Sequence, residues 1–221
     1  EEIARTFANV SWFSRPWAGF REQWRAALEE TGISTAFVLA LDADMQISPE
    51  LEEEIATTVE RPSVDGATMA FEYRIRGVPL AGSLYPRQLR LLRLAKASAG
   101  ERGHAHELMV DGVVVDLSAC LIHDDRKPLE MFVRAQLGYS ASEVPRLFSE
   151  DDRGLPARVR RGFPFTPIAV WLWAWIRAGG PFRGPAARRY AMERLLYEAM
   201  LRWRVEDRLL ESESRREMER G

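Results

Sequence analysis

A chain of 221 residues with 46% hydrophobic content can bury a real core, which excludes a disordered protein. Its 31 basic and 33 acidic residues nearly cancel, so no global field points to nucleic acid. The single cysteine, Cys120, forms no intrachain disulfide and fits a reducing compartment.

The chain opens on Glu1-Glu2 with no secretory signal, and the start reads as a cut inside a longer protein. Ile3 and Phe7 lie one helical turn apart, the end of a short helix, and a brief extended piece follows over residues 9–13. Phe20, Trp24, Ala27 and Leu28 recur at offsets 0, 4, 7 and 8, the stripe of a surface helix that Gly32 ends. The apolar run Ala36-Phe37-Val38-Leu39-Ala40-Leu41 has no alternation, which predicts a parallel strand buried on both faces. Its place is at or near a sheet edge. After Asp42-Ala43-Asp44, Ser48 caps a helix whose first position is Pro49 and whose first turn carries Glu50 and Glu52.

Residues 67–75 alternate, with Ala67, Met69, Phe71, Tyr73 and Ile75 on one face, and a shorter strand follows over residues 89–94. Asp111-Gly112 predicts a hairpin between residues 108–110 and 113–115, with strand continuing from Leu117 to His123. A helix starts near Pro128, marked by Leu129, Phe132, Val133 and Leu137. After about residue 150 the composition changes: Arg153, Arg158, Arg160 and Arg161 precede the uncharged stretch Phe163 to Ile176 with its Trp171, Trp173 and Trp175. Residues 185–210 read as an arginine-rich amphipathic helix, and residues 211–221 as a polar tail.

In open α/β sheets ligands bind beyond the carboxyl ends of strands, where Asp42 and Asp44 stand. Two loop carboxylates one residue apart can turn toward a hard cation such as Mg²⁺ or Mn²⁺, which favours carboxylate and phosphate oxygens; two solvated loop aspartates are the plainer alternative. All three histidines fall in two clusters, His104-Ala105-His106-Glu107 and His123-Asp124-Asp125. Their spacing is a weak match to zinc-binding patterns. Glu107 is the candidate general base, since a carboxylate held within reach of a hydroxyl takes its proton. The stretch at 163–176 is too short to cross a bilayer, which needs about 20 residues. Tryptophans flanked by arginines suit the water-lipid interface, and a helix packed on the rest of the protein explains them equally.

These pieces in this order resemble the family 2 glycosyltransferases, in particular the bacterial branch that decorates the lipopolysaccharide core. Trp17-Ala18-Gly19-Phe20 with Gln23 and Leu28, Phe37 through Asp44, Ser48-Pro49-Glu50-Leu51, Tyr85 through Leu91, His106-Glu107 and His123 carry the resemblance over roughly residues 1–140. Residues 179–194 are similar to that branch's C-terminal helices. Where the family has an asparagine two residues after the glutamine of the first helix, this chain has Arg25.

The resemblance implies an α/β fold of the GT-A, Rossmann-like kind: a mixed sheet flanked by helices, lacking its first strands, with a C-terminal helical extension. Residues 1–145 are then a partial glycosyltransferase domain, and residues 146–221 a helical, membrane-associating region. It implies an inverting transfer from a nucleotide-sugar donor to a lipid-linked or lipopolysaccharide-core acceptor, on the cytoplasmic face of a bacterial membrane with an anionic surface. Asp42 and Asp44 hold a divalent metal and the donor diphosphate. Glu107 is the base with His106 beside it, and Arg87 and Arg90 contact phosphate. Two rival readings are a metal-dependent hydrolase, with Asp42, Asp44, His104, His106 and His123 converging, and a non-catalytic membrane adaptor, with the acidic pair in bulk solvent.

Overall fold

The computed structural model describes residues 2–102, 105–149 and 154–220. In chain order the elements are α1 (Glu2–Arg5), α2 (Phe20–Glu29), β1 (Phe37–Leu39), β2 (Met45–Gln46), α3 (Pro49–Val59), β3 (Gly66–Ile75) and β4 (Val78–Pro79). They continue with β5 (Gln88–Arg93), β6 (Ala97–Arg102), β7 (Ala105–Val110), β8 (Val114–Asp125), α4 (Leu129–Leu147), α5 (Leu155–Gly162), α6 (Thr166–Arg177) and α7 (Gly184–Arg220). The class is α/β with a long C-terminal helix. The chain divides into two compact units interleaved along the sequence: residues 1–41, 53–69 and 88–117 form the first, and residues 42–52, 70–87 and 118–221 the second.

In the first unit β1 pairs antiparallel with β5 at Phe37↔Arg93, Val38↔Leu92 and Leu39↔Leu91. The expected parallel strand, buried on both faces, is therefore corrected: β1 is three residues long, antiparallel and only half-buried. Periodicity reports burial and not strand direction, and one exposed flank of β1 is covered by a cation, the Arg93 guanidinium 4.4 Å from the Phe37 ring centroid. Its position at the end of the strand order agrees with the expected edge.

β5 pairs in turn with the start of β3, with a register shift between Ala67 and Thr68. β6 and β7 form a separate two-stranded sheet, from Ala97↔Val110 to Arg102↔Ala105. Trp24 and Leu28 of α2, the expected stripe, close on Ala40, Leu92 and Leu108 with Val38, Leu89 and Ala97.

The hairpin expected at Asp111-Gly112 is also corrected, because β7 and β8 lie in different sheets and β7 takes β6 as its partner. The cause is Asp65. Its Oδ2 accepts from the Val113 amide at 3.0 Å and from Lys96 Nζ at 2.9 Å, while the Val113 carbonyl accepts from the Asp65 amide at 2.8 Å. Gly112 at φ +149° runs so close that a Cβ there would lie 2.0 Å from Asp65 Oδ2.

In the second unit the end of β3 carries the alternation read from sequence, with Phe71, Tyr73 and Ile75 buried. β4 pairs with it at Arg74↔Pro79 and Ile75↔Val78, and β2 pairs antiparallel with β8 at Met45↔His123 and Gln46↔Ile122. Ser48 caps α3 as expected, its Oγ accepting from the Leu51 amide at 3.2 Å. Tyr73, Ile75 and Leu80 pack with Ala174, Ala178, Ala186, Ala187 and Tyr190 of the α6–α7 hairpin, where alanines let the two helices approach closely. Gly179, at φ +109°, makes the left-handed turn that ends α6. A second apolar cluster joins Val144 and Leu147 of α4, Ala157 of α5, and Leu201 and Val205 of α7.

Candidate functional site

The site lies in the second unit, where the loop after β1 meets the end of β8. The Met45 amide donates to the Asp42 carbonyl at 3.0 Å, which closes a tight turn through Ala43 and Asp44. The next residue, Met45, pairs with His123, and the Asp44 carbonyl accepts from the Asp124 amide at 3.0 Å. This register sets the Asp44 and His123 side chains side by side, with Oδ2 3.5 Å from Nε2. Asp42 is exposed and Asp44 half-buried.

Lys127, one of only two lysines in the chain, completes the group. Its Nζ lies 2.6 Å from Asp44 Oδ2 and 3.8 Å from Asp125 Oδ1. The Lys127 backbone is held from both ends: its amide donates to Asp125 Oδ1 at 2.9 Å and its carbonyl accepts from Arg189 at 2.9 Å. Arg189 is set in turn by Glu193 at 2.9 Å, one turn further along α7. Tyr73 donates its hydroxyl to Asp125 Oδ2 at 3.1 Å. Alternation along β8 sends Asp124 elsewhere, to the Gly77 amide at 2.7 Å and to Arg126 at 2.6 Å.

His123 is walled by aromatic rings. It stacks on Tyr73 with centroids 4.8 Å apart, with Tyr85 at 5.3 Å and Phe71 at 6.2 Å. Its Nδ1 is buried and has no hydrogen-bond partner among the described residues. Burial pushes the imidazole below its ordinary pKa, with Asp44 pulling the other way, so the ring is neutral at pH 7. For Asp44, burial favours the protonated acid, but the Lys127 hydrogen bond and the Lys127 charge outweigh it and hold the carboxyl below its usual range. For Lys127, burial opposes the charge, and Asp44 and Asp125 outweigh that and hold the ammonium above its ordinary value. Burial raises Tyr73 far above a normal phenol, with Asp125 adding to it. The side chains of Asp44 and Lys127 remain 28% and 38% exposed, so the charged end of the array is reachable by a ligand.

A divalent metal was expected on Asp42 and Asp44. Among the described residues no three His, Cys, Asp or Glu side chains gather as a metal-ligand set. The Asp44 oxygen that would bind a cation is held by the Lys127 ammonium. As arranged, Asp44 serves an ammonium, and a Mg²⁺ or Mn²⁺ ion, bound through one or two carboxylates together with donor phosphates and water, would take the place of Lys127 at that oxygen. Of the five residues of the hydrolase reading, Asp44 and His123 are brought together. His104 lies outside the described residues.

Of the other expected site residues, Arg87 is an exposed residue of the second unit. Arg90 belongs to the first unit and is buried, donating to Gln88 Oε1 at 3.0 Å and to the Ala40 carbonyl at 3.4 Å. Glu107 and His106 sit on β7, opposite Gly100 and Glu101, and their side chains lie outside the described residues. Sequence reasoning missed Lys127, Tyr73, Arg189 and Glu193 as members of the site. A lysine in a chain whose cations are nearly all arginine, directly after a strand ending in two aspartates, was the available signal.

No family model matches the chain, and neither the curated proteins nor the solved structures contain a match to it.

Proposed function

We propose that the chain is a nucleotide-sugar-dependent glycosyltransferase of the GT-A kind, inverting, with a lipid-linked or lipopolysaccharide-core acceptor at the cytoplasmic face of a bacterial membrane. One observation carries the reading. Asp44 and His123, two residues on which the family resemblance rests, come within 3.5 Å of each other, and Lys127 joins them with a reachable positive charge.

Donor recognition has two parts. The Lys127 ammonium offers donors to a diphosphate oxygen and offsets the negative charge that grows there as the sugar leaves. The Asp44 carboxylate, held ionised, accepts from hydroxyl groups of the donor. Neutral His123, fixed by Tyr73, keeps Asp44 oriented. No step is routed through a metal. The roles that the resemblance gives Glu107 as base, His106 beside it, and Arg87 and Arg90 toward phosphate belong to the same proposal and are tested by substituting each in turn.

The experiment is sugar transfer from a panel of labelled sugar nucleotides to a lipopolysaccharide-core acceptor, in EDTA and in Mn²⁺. Transfer from at least one donor, lost in Asp44→Asn and strongly reduced in Lys127→Met, is the expected result. No turnover of any donor would remove the reading.

A further inference from the structure

The outward faces of α5 and α6 carry the opposite of what a surface helix should show. On α6 and at its C-cap the residues turned to the core are small, with Ala174 and Ala178 fully buried. Ile168, Leu172 and Ile176 recur along the outward face at 56%, 44% and 56% exposure, with Trp173 beside them at 55%. Leu155 and Val159 lie one turn apart on the exposed side of α5, and Phe163, Phe165 and Phe182 are exposed before and after α6. Trp171 and Trp175 do not belong to this face, since they stack on each other and Trp175 packs toward the core.

The segment that carries this face has charge of one sign. Residues 154–192 contain seven arginines and no aspartate or glutamate. Arg160 is spent on Glu198 at 2.6 Å, but Arg158, Arg177, Arg183 and Arg188 are exposed. Among the described residues no helix is long and apolar enough to cross a membrane. An apolar stripe bordered by guanidinium groups fits a surface that is oily beneath and anionic on top.

We propose that the outward faces of α5 and α6, with the turn after α6, form a docking surface for an anionic lipid bilayer. Ile168, Leu172, Trp173 and Ile176 enter the acyl boundary, and Arg158, Arg177 and Arg183 meet the headgroups. The proposal rests on this surface and its charge, and it stands apart from the chemistry assigned to Asp44.

The test is co-sedimentation of the whole protein with vesicles of phosphatidylcholine alone or mixed with phosphatidylglycerol, at low and high salt. Wild type is expected to sediment with the anionic vesicles and to be released as salt rises. Ile168→Ser/Leu172→Ser/Ile176→Ser should lose binding to both vesicle types. Arg177→Gln/Arg183→Gln should lose the preference for anionic lipid, by about fivefold for each arginine engaged. Trp203→Ser, which removes an aromatic exposed on α7, should bind as wild type does, and so should Asp44→Asn. All substituted groups on the docking face are exposed, so circular dichroism and melting should be unchanged. Wild type that ignores anionic vesicles, or variants that all sediment alike, would overturn the proposal. So would light scattering that shows a dimer broken by the triple substitution without any lipid binding, which would give the face to a second copy of the chain.

Discussion

Lys127→Met removes the ammonium from between Asp44 and Asp125 and keeps most of the side-chain volume. Breaking a fully buried pair from one side costs about 3–5 kcal/mol, and an exposed pair contributes at most about 1 kcal/mol. With side-chain exposures of 38% for Lys127 and 28% for Asp44, the pair lies between these limits. A cost of about 1–2 kcal/mol follows, which for a chain of this size lowers the melting temperature by about 2–8 °C. Asp44→Asn should cost less, because Lys127 keeps Asp125 at 3.8 Å. The double variant should show a coupling energy on the order of 1 kcal/mol. His123 gives a second readout, since Lys127 lowers its pKa and Asp44 raises it. Imidazole titration followed by NMR should show the His123 pKa rising in Lys127→Met and falling in Asp44→Asn. Additive melting shifts together with an unmoved His123 titration would refute the pairing.

Three further outcomes follow from the packing. Gly112→Ala should destabilise by about 2 kcal/mol or more, read by chemical denaturation, because its Cβ would meet Asp65 Oδ2 at 2.0 Å. Tyr190→Phe should cost about 1–3 kcal/mol in the same assay, since the Leu84 amide loses the hydroxyl it donates to at 2.7 Å. Burial raises the Glu193 carboxyl pKa above its ordinary value of 4.5, with Arg189 opposing. The stability this contributes is fully present below that ordinary value and is lost as pH rises through the folded one. Glu193→Gln should therefore melt closer to wild type in acid and gain relative to it at neutral pH. Parallel melting curves across that range would contradict the burial argument.

Much of the local structure was legible because one physical rule governed it. The alternation from Ala67 to Ile75 is the burial pattern of β3, and Ser48 with Pro49 starts α3. What failed needed knowledge of partners. A run of apolar residues at 36–41 gives no strand direction, and Asp-Gly gives no hairpin when Asp65, distant in sequence, takes the amide beyond it. β6, built of Ala-Ser-Ala-Gly-Glu-Arg, has no apolar alternation to read. The site divided in the same way. Asp44 and His123 stood out as residue types, but Lys127 enters only through a turn fixed by Asp125 and Arg189.

The most direct measurement of the central claim is isothermal titration of the protein with a panel of sugar nucleotides in EDTA, repeated with Lys127→Met. The proposed reading predicts that at least one donor binds without a metal and that Lys127→Met weakens it at least tenfold. Binding that requires Mn²⁺ and ignores Lys127→Met, or no binding by any donor under either condition, would contradict it.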